Sequence, residues 1–540
     1  MRKLQAALVV AVLTMVAIGL SSCGGSSGKE GGTLTGSYAS FPELDPALSY
    51  DQEGWTAMYD TYLPLLTYKH ASGEEGAEVV PALAESLPKI TNGGKTYTLT
   101  LRKGLKYSDG TPVKASDFAS TVERIFKLNS PGSPFYEGIV GAEEFAKTKS
   151  GGISGITTDD GSGKIEIELT QPRGTFTNEL AMLFVALLPP DTPAKNLTTE
   201  PAPATGPYEI VNVEPGKGWS YVRNPQWAKS NDKAIPEVPS GHVDKIDISL
   251  VRNSATQVNE IERNQKNWMQ TLVPADQYAK VKSKYEGSQF RVEHPISTYF
   301  FWLNTEEPPF DDVRLRQAAN YAVDSAALER IYAGSLAASH QILPEGMPGH
   351  ETFDLYPHDM AKAKKLFAEA NPSDRNITVW TDNESPNDKA GAYYAGVLNE
   401  VGFNAKLKTI NADNYFGIIG NLSTPDLDTG WVSWLQDYPH PNDFFQPLLD
   451  GESIAPTYNT NTSRMNDPKL NAKIARLGSE ELGPKQEDEY AQLDREFMEQ
   501  APMAPYGSIT TSTFVDDEID LESVIYNPTM GQDLTSFQFK

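Results

Sequence analysis

ITVWTDNESPNDKAGAYYAGVLNEVGFNAKLKT, residues 377–409, switches between two periodicities. Ile377 to Trp380 reads as a strand, 387–401 as a helix, and Ala405-Lys406-Leu407-Lys408-Thr409 as a second strand. Strand, crossover helix, strand is the unit from which α/β folds are built. The neighbouring segments extend the pattern. Ser297 to Asn304 (STYFFWLN) is strongly β-forming and runs into Pro308-Pro309-Phe310. Asp311 and Asp312 start a helix with Val313, Leu315, Ala319 and Ala322 as its apolar positions. Asp324 and Ser325 cap another, carrying Leu328, Ile331 and Tyr332 and stopped by Gly334. Met360 to Ala370 is a basic amphipathic helix ended by Asn371-Pro372. These elements predict an α/β module over roughly 305–505.

The first half reads differently. Gly32 to Gly36 starts a strand, which Tyr38 to Pro46 leaves as a loop. Pro81 to Glu85 predicts a short helix. After the turn at Asn92-Gly93-Gly94, Tyr97, Leu99 and Leu101 alternate with Thr98, Thr100 and Arg102, the pattern of a half-buried strand. Ser116 is placed as an N-cap, with Phe118, Val122, Ile125 and Phe126 on one helix face. Ile165 to Leu169 alternates again. The proline-rich stretch 187–207 reads as a passage between modules, followed by a hairpin (208–213, 219–223) and a strand at 246–251. No repeat of fixed period is present.

Composition sets bounds. The 540 residues carry 46 Lys and Arg against 72 Asp and Glu, a formal charge of −26. Such acidity repels a phosphate backbone and argues against a nucleic-acid partner. Met1-Arg2-Lys3 followed by the apolar run Leu4–Leu20 has the form of a secretory signal. Leu20-Ser21-Ser22-Cys23 resembles the bacterial lipobox, in which the cysteine receives a diacylglycerol and becomes the new N-terminus. Cys23 is the chain's single cysteine, so lipidation is its expected use, and 24–32 is a flexible tether. An N-terminal membrane-spanning anchor is the alternative. Roughly 510 residues then remain, enough for two or three domains.

Motifs for catalysis are missing. Gly24-Gly25-Ser26-Ser27-Gly28 matches G-x-S-x-G but lacks the strand–turn–helix that strains and exposes the serine. None of the seven histidines forms H-x-x-x-H, although dispersed ligands could still meet in space. Gly94-Lys95-Thr96 would need a glycine at position 89, which is Lys89. No catalytic residue, metal ligand or cofactor is assigned.

Four stretches then carry a resemblance. They are Pro81–Ser86 with Thr96–Gly104 and Ser108–Val113; Thr205-Gly206-Pro207-Tyr208 with Arg223-Asn224-Pro225; Asn304-Thr305 with Pro309–Ala318 and Tyr321–Asp324; and Trp434–Pro439 with Asn442–Phe445. In this order they resemble bacterial extracellular solute-binding protein family 5, the oligopeptide- and dipeptide-binding lipoproteins of ABC importers. The resemblance implies an α/β, two-lobed periplasmic-binding-protein-like fold (type II, cluster C) with a subdomain inserted in the first lobe. It implies a signal at 1–22, tether at 23–32, first-lobe segments at 33–60, 184–303 and 506–540, an inserted subdomain at 61–183 and a second lobe at 304–505. The expected protein is a non-enzymatic, extracytoplasmic, lipid-anchored monomer. It would close on a short peptide and present it to a permease and ATPase.

The resemblance also implies site residues. Asp437 occupies the place where peptide-binding members pair an Asp with the ligand α-amino group; a buried ammonium demands such a carboxylate. Trp434 would offer a flat apolar wall. Tyr299, Tyr38, Tyr136 and Trp431 are further candidates. His440 stands where members often carry a second acid, and Trp431 where some place an Arg for a ligand carboxylate. A sugar, a nickel chelate or another small solute in the same fold, a surface hydrolase, and a ligand sensor remain as alternatives.

Overall fold

The computed structural model describes residues 28–540; the signal segment and Cys23 lie outside the described residues. Among the described residues no helix is long and apolar enough to cross a membrane. Two sheets organise the chain. The first has seven strands in the order Phe290–Glu293, Thr511–Val515, Trp268–Met269, Thr33–Tyr38, Lys245–Leu250, Gly218–Arg223, Tyr208–Glu214. The second has six: Leu336–Ala337, Met503–Ile509, Ser297–Leu303, Thr429–Leu435, Asn376–Asp382, Asn404–Ile410. Each sheet anchors its own apolar core. A four-stranded antiparallel sheet (89–91, 96–100, 164–168, 156–159) forms the heart of an insertion whose core is continuous with the first lobe's.

The quoted stretch behaves as its pattern dictates. Asn376–Asp382 pairs in parallel with Asn404–Ile410, and helix Asn387–Val401 crosses between them. Gly402 follows the helix at φ 131°, a conformation that favours glycine. Ser297–Leu303 lies between two antiparallel neighbours, 429–435 and 503–509. Phe300, Phe301, Trp302 and Leu303 are each at most 1% exposed, and burying such side chains contributes about 1.5–3 kcal/mol apiece. This central strand belongs to the second sheet, so the second lobe begins before residue 304. The chain passes between sheets twice, between Glu293 and Ser297 and between Ile509 and Thr511.

Two local expectations are corrected. Residues 81–85 are not helical: Val79–Pro81 pairs with Leu66–Tyr68, and the N–H groups of Ala82 and Ala84 both donate to Leu65 O. Extended pairing satisfies backbone groups that a short helix would leave at its ends. Helix Ser116–Leu128 starts at Ser116 instead of being capped by it, and Asp160 accepts the Ser116 N–H at 2.9 Å.

The proline-rich passage is pinned by a buried ion pair. Arg124 donates from Nη1 and Nη2 to Asp45 at 2.8 and 2.5 Å, and to the carbonyls of Pro193 and Lys195 at 3.0 and 2.7 Å. Asp45 also accepts the N–H groups of Leu197 and Ala47.

Candidate functional site

Strand Thr429–Leu435 ends at the junction of the lobes, and helix Asn442–Leu449 begins a few residues later. Asp443, in the first turn of that helix, folds the intervening loop back. Its Oδ2 accepts the Asp437 N–H at 2.8 Å and the Trp434 indole N–H at 3.4 Å. Asp437 is thereby held, half-buried, at the junction of the lobes. Its Oδ2 accepts the hydroxyl of Tyr50, which comes from the opposite lobe, at 2.7 Å. Burial pushes the Asp437 carboxyl up to about 7, against the lowering effect of bonds to Tyr50 and Asp443. Asp443 is raised well above the usual carboxylate range by burial and by the neighbouring Asp437. Tyr50 is raised by burial and by the adjacent Asp437 carboxyl. Two carboxylates thus converge, and among the described residues no cation is bonded to either.

His440 adds no charge. It is 1% exposed, its Nδ1 accepts the Asn442 N–H at 3.1 Å, and burial depresses it to about 3, so its ring is neutral. Arg173 of the inserted subdomain, half-buried, is bound to Glu179 at 2.8 Å and donates to Phe135 O. Arg173 helps line a cavity of about 260 Å³ between the insertion and the second lobe, with Thr175, Asn442, Gln446 and Gly478.

The expected site residues fall into three groups. Asp437 and Trp434 come together, with Asp443 and Tyr50. Tyr299 and Trp431 form a second group. In the strand register Phe301 faces Trp431 and Tyr299 faces Ser433, so the two rings are diagonal neighbours on one face. They stack at 6.2 Å and 14°, and Tyr415 stacks on the far side of Trp431 at 5.5 Å and 5°. Phe416, 54% exposed, meets Trp431 edge-on. Trp434 points from the opposite face of the strand. The third group is a correction: Tyr38 and Tyr136 are core residues. Tyr38 is enclosed between Trp219 and Trp268, with ring centroids 5.0 and 5.8 Å away. Tyr136 is wholly buried and donates to Glu179 O at 2.8 Å. Neither is brought to Asp437. Sequence reasoning missed Asp443, although it lies inside the stretch quoted with Asn442, and Tyr50, which carried no local signal.

The lobes touch. Besides Tyr50–Asp437, Gln436 Nε2 donates to Thr529 Oγ1 at 3.0 Å, and the Tyr438 ring packs edge-on against Phe135 at 6.3 Å. Gly174 N donates to Gly478 O at 2.9 Å, and a Cβ on Gly174 would stand 1.8 Å from Glu480 O. Both clashing partners are backbone. Gly174→Ala is therefore expected to prop the lobes apart, raising the radius of gyration in solution scattering and weakening ligand binding; unchanged scattering with saturating ligand would show that this approach is dispensable.

Two α/β lobes that meet along a junction are the architecture of solute-binding proteins. The profile described as "Bacterial extracellular solute-binding proteins, family 5 Middle" matches residues 78–455, and the chain belongs to this family. It is similar to heme-binding protein A of Haemophilus influenzae, 25% identical over 93% of each chain. It is also similar to the oligopeptide-binding protein OppA of Bacillus subtilis, 23% identical over 96% of each. Its fold is similar to that of clavulanic acid biosynthesis oligopeptide binding protein 2, with a TM-score of 0.86, 24% identity, and coverage of 95% of this chain and 96% of that one.

Proposed function

We propose that the chain is the extracytoplasmic substrate-binding lipoprotein of an ABC importer, that it captures short peptides by their free amino end between the lobes, and that it delivers them to the permease without chemical turnover. The observation that carries this reading is Asp437, a carboxylate held by Asp443 and already bonded to Tyr50 of the opposite lobe. An ammonium placed there would link both lobes through one ion. Family membership and relatives named for oligopeptide binding support the ligand class. The partly exposed rings of Tyr299 and Phe416, at the edge of the core pair Trp431 and Tyr415, favour a second reading, a sugar or flat ring laid against that edge.

Thermal shift of soluble protein beginning at Lys29 separates the two. Peptide pools at about 100 times their dissociation constant are expected to add roughly 2.7 kcal/mol. A shift with oligosaccharides or nickel chelates, and none with peptides, would replace the ligand class.

The site also sets a pH dependence. Free Asp437 holds its proton below about pH 7, and an ammonium pairs only with the ionised form. Affinity for an amine-bearing peptide is expected to rise with pH to about 7, losing up to about tenfold for each unit below, and to fall again above about 8, where the peptide's own α-amino group gives up its proton. Titration calorimetry one unit to either side of about pH 7 tests this; equal affinities would remove Asp437 from the binding equilibrium. For the anchor, Cys23→Ser is expected to release the protein from membranes. Retention of the variant would assign anchoring to the apolar segment 4–20.

A further inference from the structure

A second cluster of ionisable groups lies inside the first lobe, on segments that share no element with the Asp437 site. Asp60 follows helix Gln52–Met58, His70 follows strand Leu66–Tyr68, and Asp533 follows the short strand Gly531–Gln532 near the C-terminus. Their side chains are 1%, 2% and 0% exposed. His70 Nδ1 is 2.7 Å from Asp533 Oδ2 and 3.8 Å from Asp60 Oδ1. One ligand atom of each residue lies within 4.8 Å of those of the other two.

Each group is oriented by its other contacts. Asp60 Oδ2 accepts the Leu534 N–H at 2.8 Å, which leaves Oδ1 directed at the imidazole. Asp533 Oδ1 accepts the Thr535 N–H at 2.9 Å, which leaves Oδ2 there as well. The His70 ring is clamped against Tyr59 at 4.5 Å and 13°, and among the described residues its Nε2 has no partner, which leaves Nδ1 as its polar engagement. Asp60 Oδ1 is wholly buried, points into the cluster and accepts no hydrogen bond among the described residues.

Charge and geometry converge. With both carboxyls ionised the set keeps one uncompensated negative charge even when the ring is protonated, and burying such a charge is costly. A divalent cation would bring the set to neutrality with the imidazole uncharged. Metal bonds of about 2.0–2.2 Å to nitrogen and carboxylate oxygen hold adjacent ligand atoms roughly 3.0–3.5 Å apart. The observed 2.7 and 3.8 Å bracket that separation. We propose that Asp60, His70 and Asp533 form a structural site for a divalent transition-metal ion, with Zn²⁺ the best match to one imidazole and two carboxylates. The ion would staple the C-terminal segment to the stretch between residues 60 and 70.

The test uses untagged protein beginning at Lys29, stripped with EDTA, incubated with excess Zn²⁺, freed of unbound metal by gel filtration and assayed by elemental mass spectrometry. The expected result is one equivalent per chain, a melting temperature raised by Zn²⁺ and lowered by EDTA, and at least a tenfold loss of bound metal in Asp60→Asn and His70→Gln. Wild-type protein that holds no more Zn²⁺ than His70→Gln would overturn the proposal and leave a shared proton in the metal's place. Should the variants fail to fold, Co²⁺ added to stripped wild-type protein decides the matter. Ligand-field bands in the visible, with a Co²⁺-dependent rise in melting temperature, support the site; absence of both overturns it.

Discussion

Asp437→Ala is expected to weaken binding of a free-amine peptide by about 3–5 kcal/mol, the cost of leaving one member of a buried charge pair alone. That is at least about a hundredfold in dissociation constant. The carboxylate has no substitute: His440 is neutral, and Asp443 is engaged with the Asp437 N–H and the Trp434 indole. An N-acetylated copy of the same peptide lacks the ammonium, so its affinity should be low and nearly equal for the two proteins. Titration calorimetry with both peptides is the measurement. If Asp437→Ala binds the free-amine peptide as tightly as the parent does, the anchor lies elsewhere.

Arg124→Leu is expected to destabilise the first lobe by about 3–5 kcal/mol. The two charges are 4% and 0% exposed, so water cannot replace the lost partner. Asp45 would keep its backbone donors from Ala47 and Leu197, but would lose the one cation bonded to it among the described residues. The carbonyls of Pro193 and Lys195 would lose their donor too, freeing the passage between the insertion and the hairpin. Adding Asp45→Asn should recover part of the loss, because the buried charge is then gone. Urea denaturation followed by tryptophan fluorescence checks both variants. A midpoint unchanged from wild type would mean that the pair contributes nothing.

What the sequence revealed depended on how far its signals reach. The strand–helix–strand unit at 377–409 was legible because its partners adjoin and its periods switch within one window. The family stretches announced two lobes and singled out Asp437 as a residue to look for at their junction. The lobe boundary was misdrawn because an apolar strand such as 297–303 suits either sheet, and only pairing with 429–435 and 503–509 decides. Tyr38 and Tyr136 were misread for a related reason: an aromatic near a cleft in chain order is core once Trp219, Trp268 or Glu179 closes over it. Tyr50 was invisible because the residue that gives it meaning is 387 positions away.

The order of strands in the seven-stranded sheet dictates an order of assembly. Phe290–Glu293 has one neighbour, Thr511–Val515, and that same strand covers the edge of Trp268–Met269. A chain that emerges from its N-terminus therefore holds both edges unpaired until the whole second lobe and the strand after it have followed. The second lobe, contiguous from 297 to 509, carries all its own strands and can be finished while the first still waits. Truncation just before residue 511 would thus leave the later-made lobe intact and the earlier-made one incomplete.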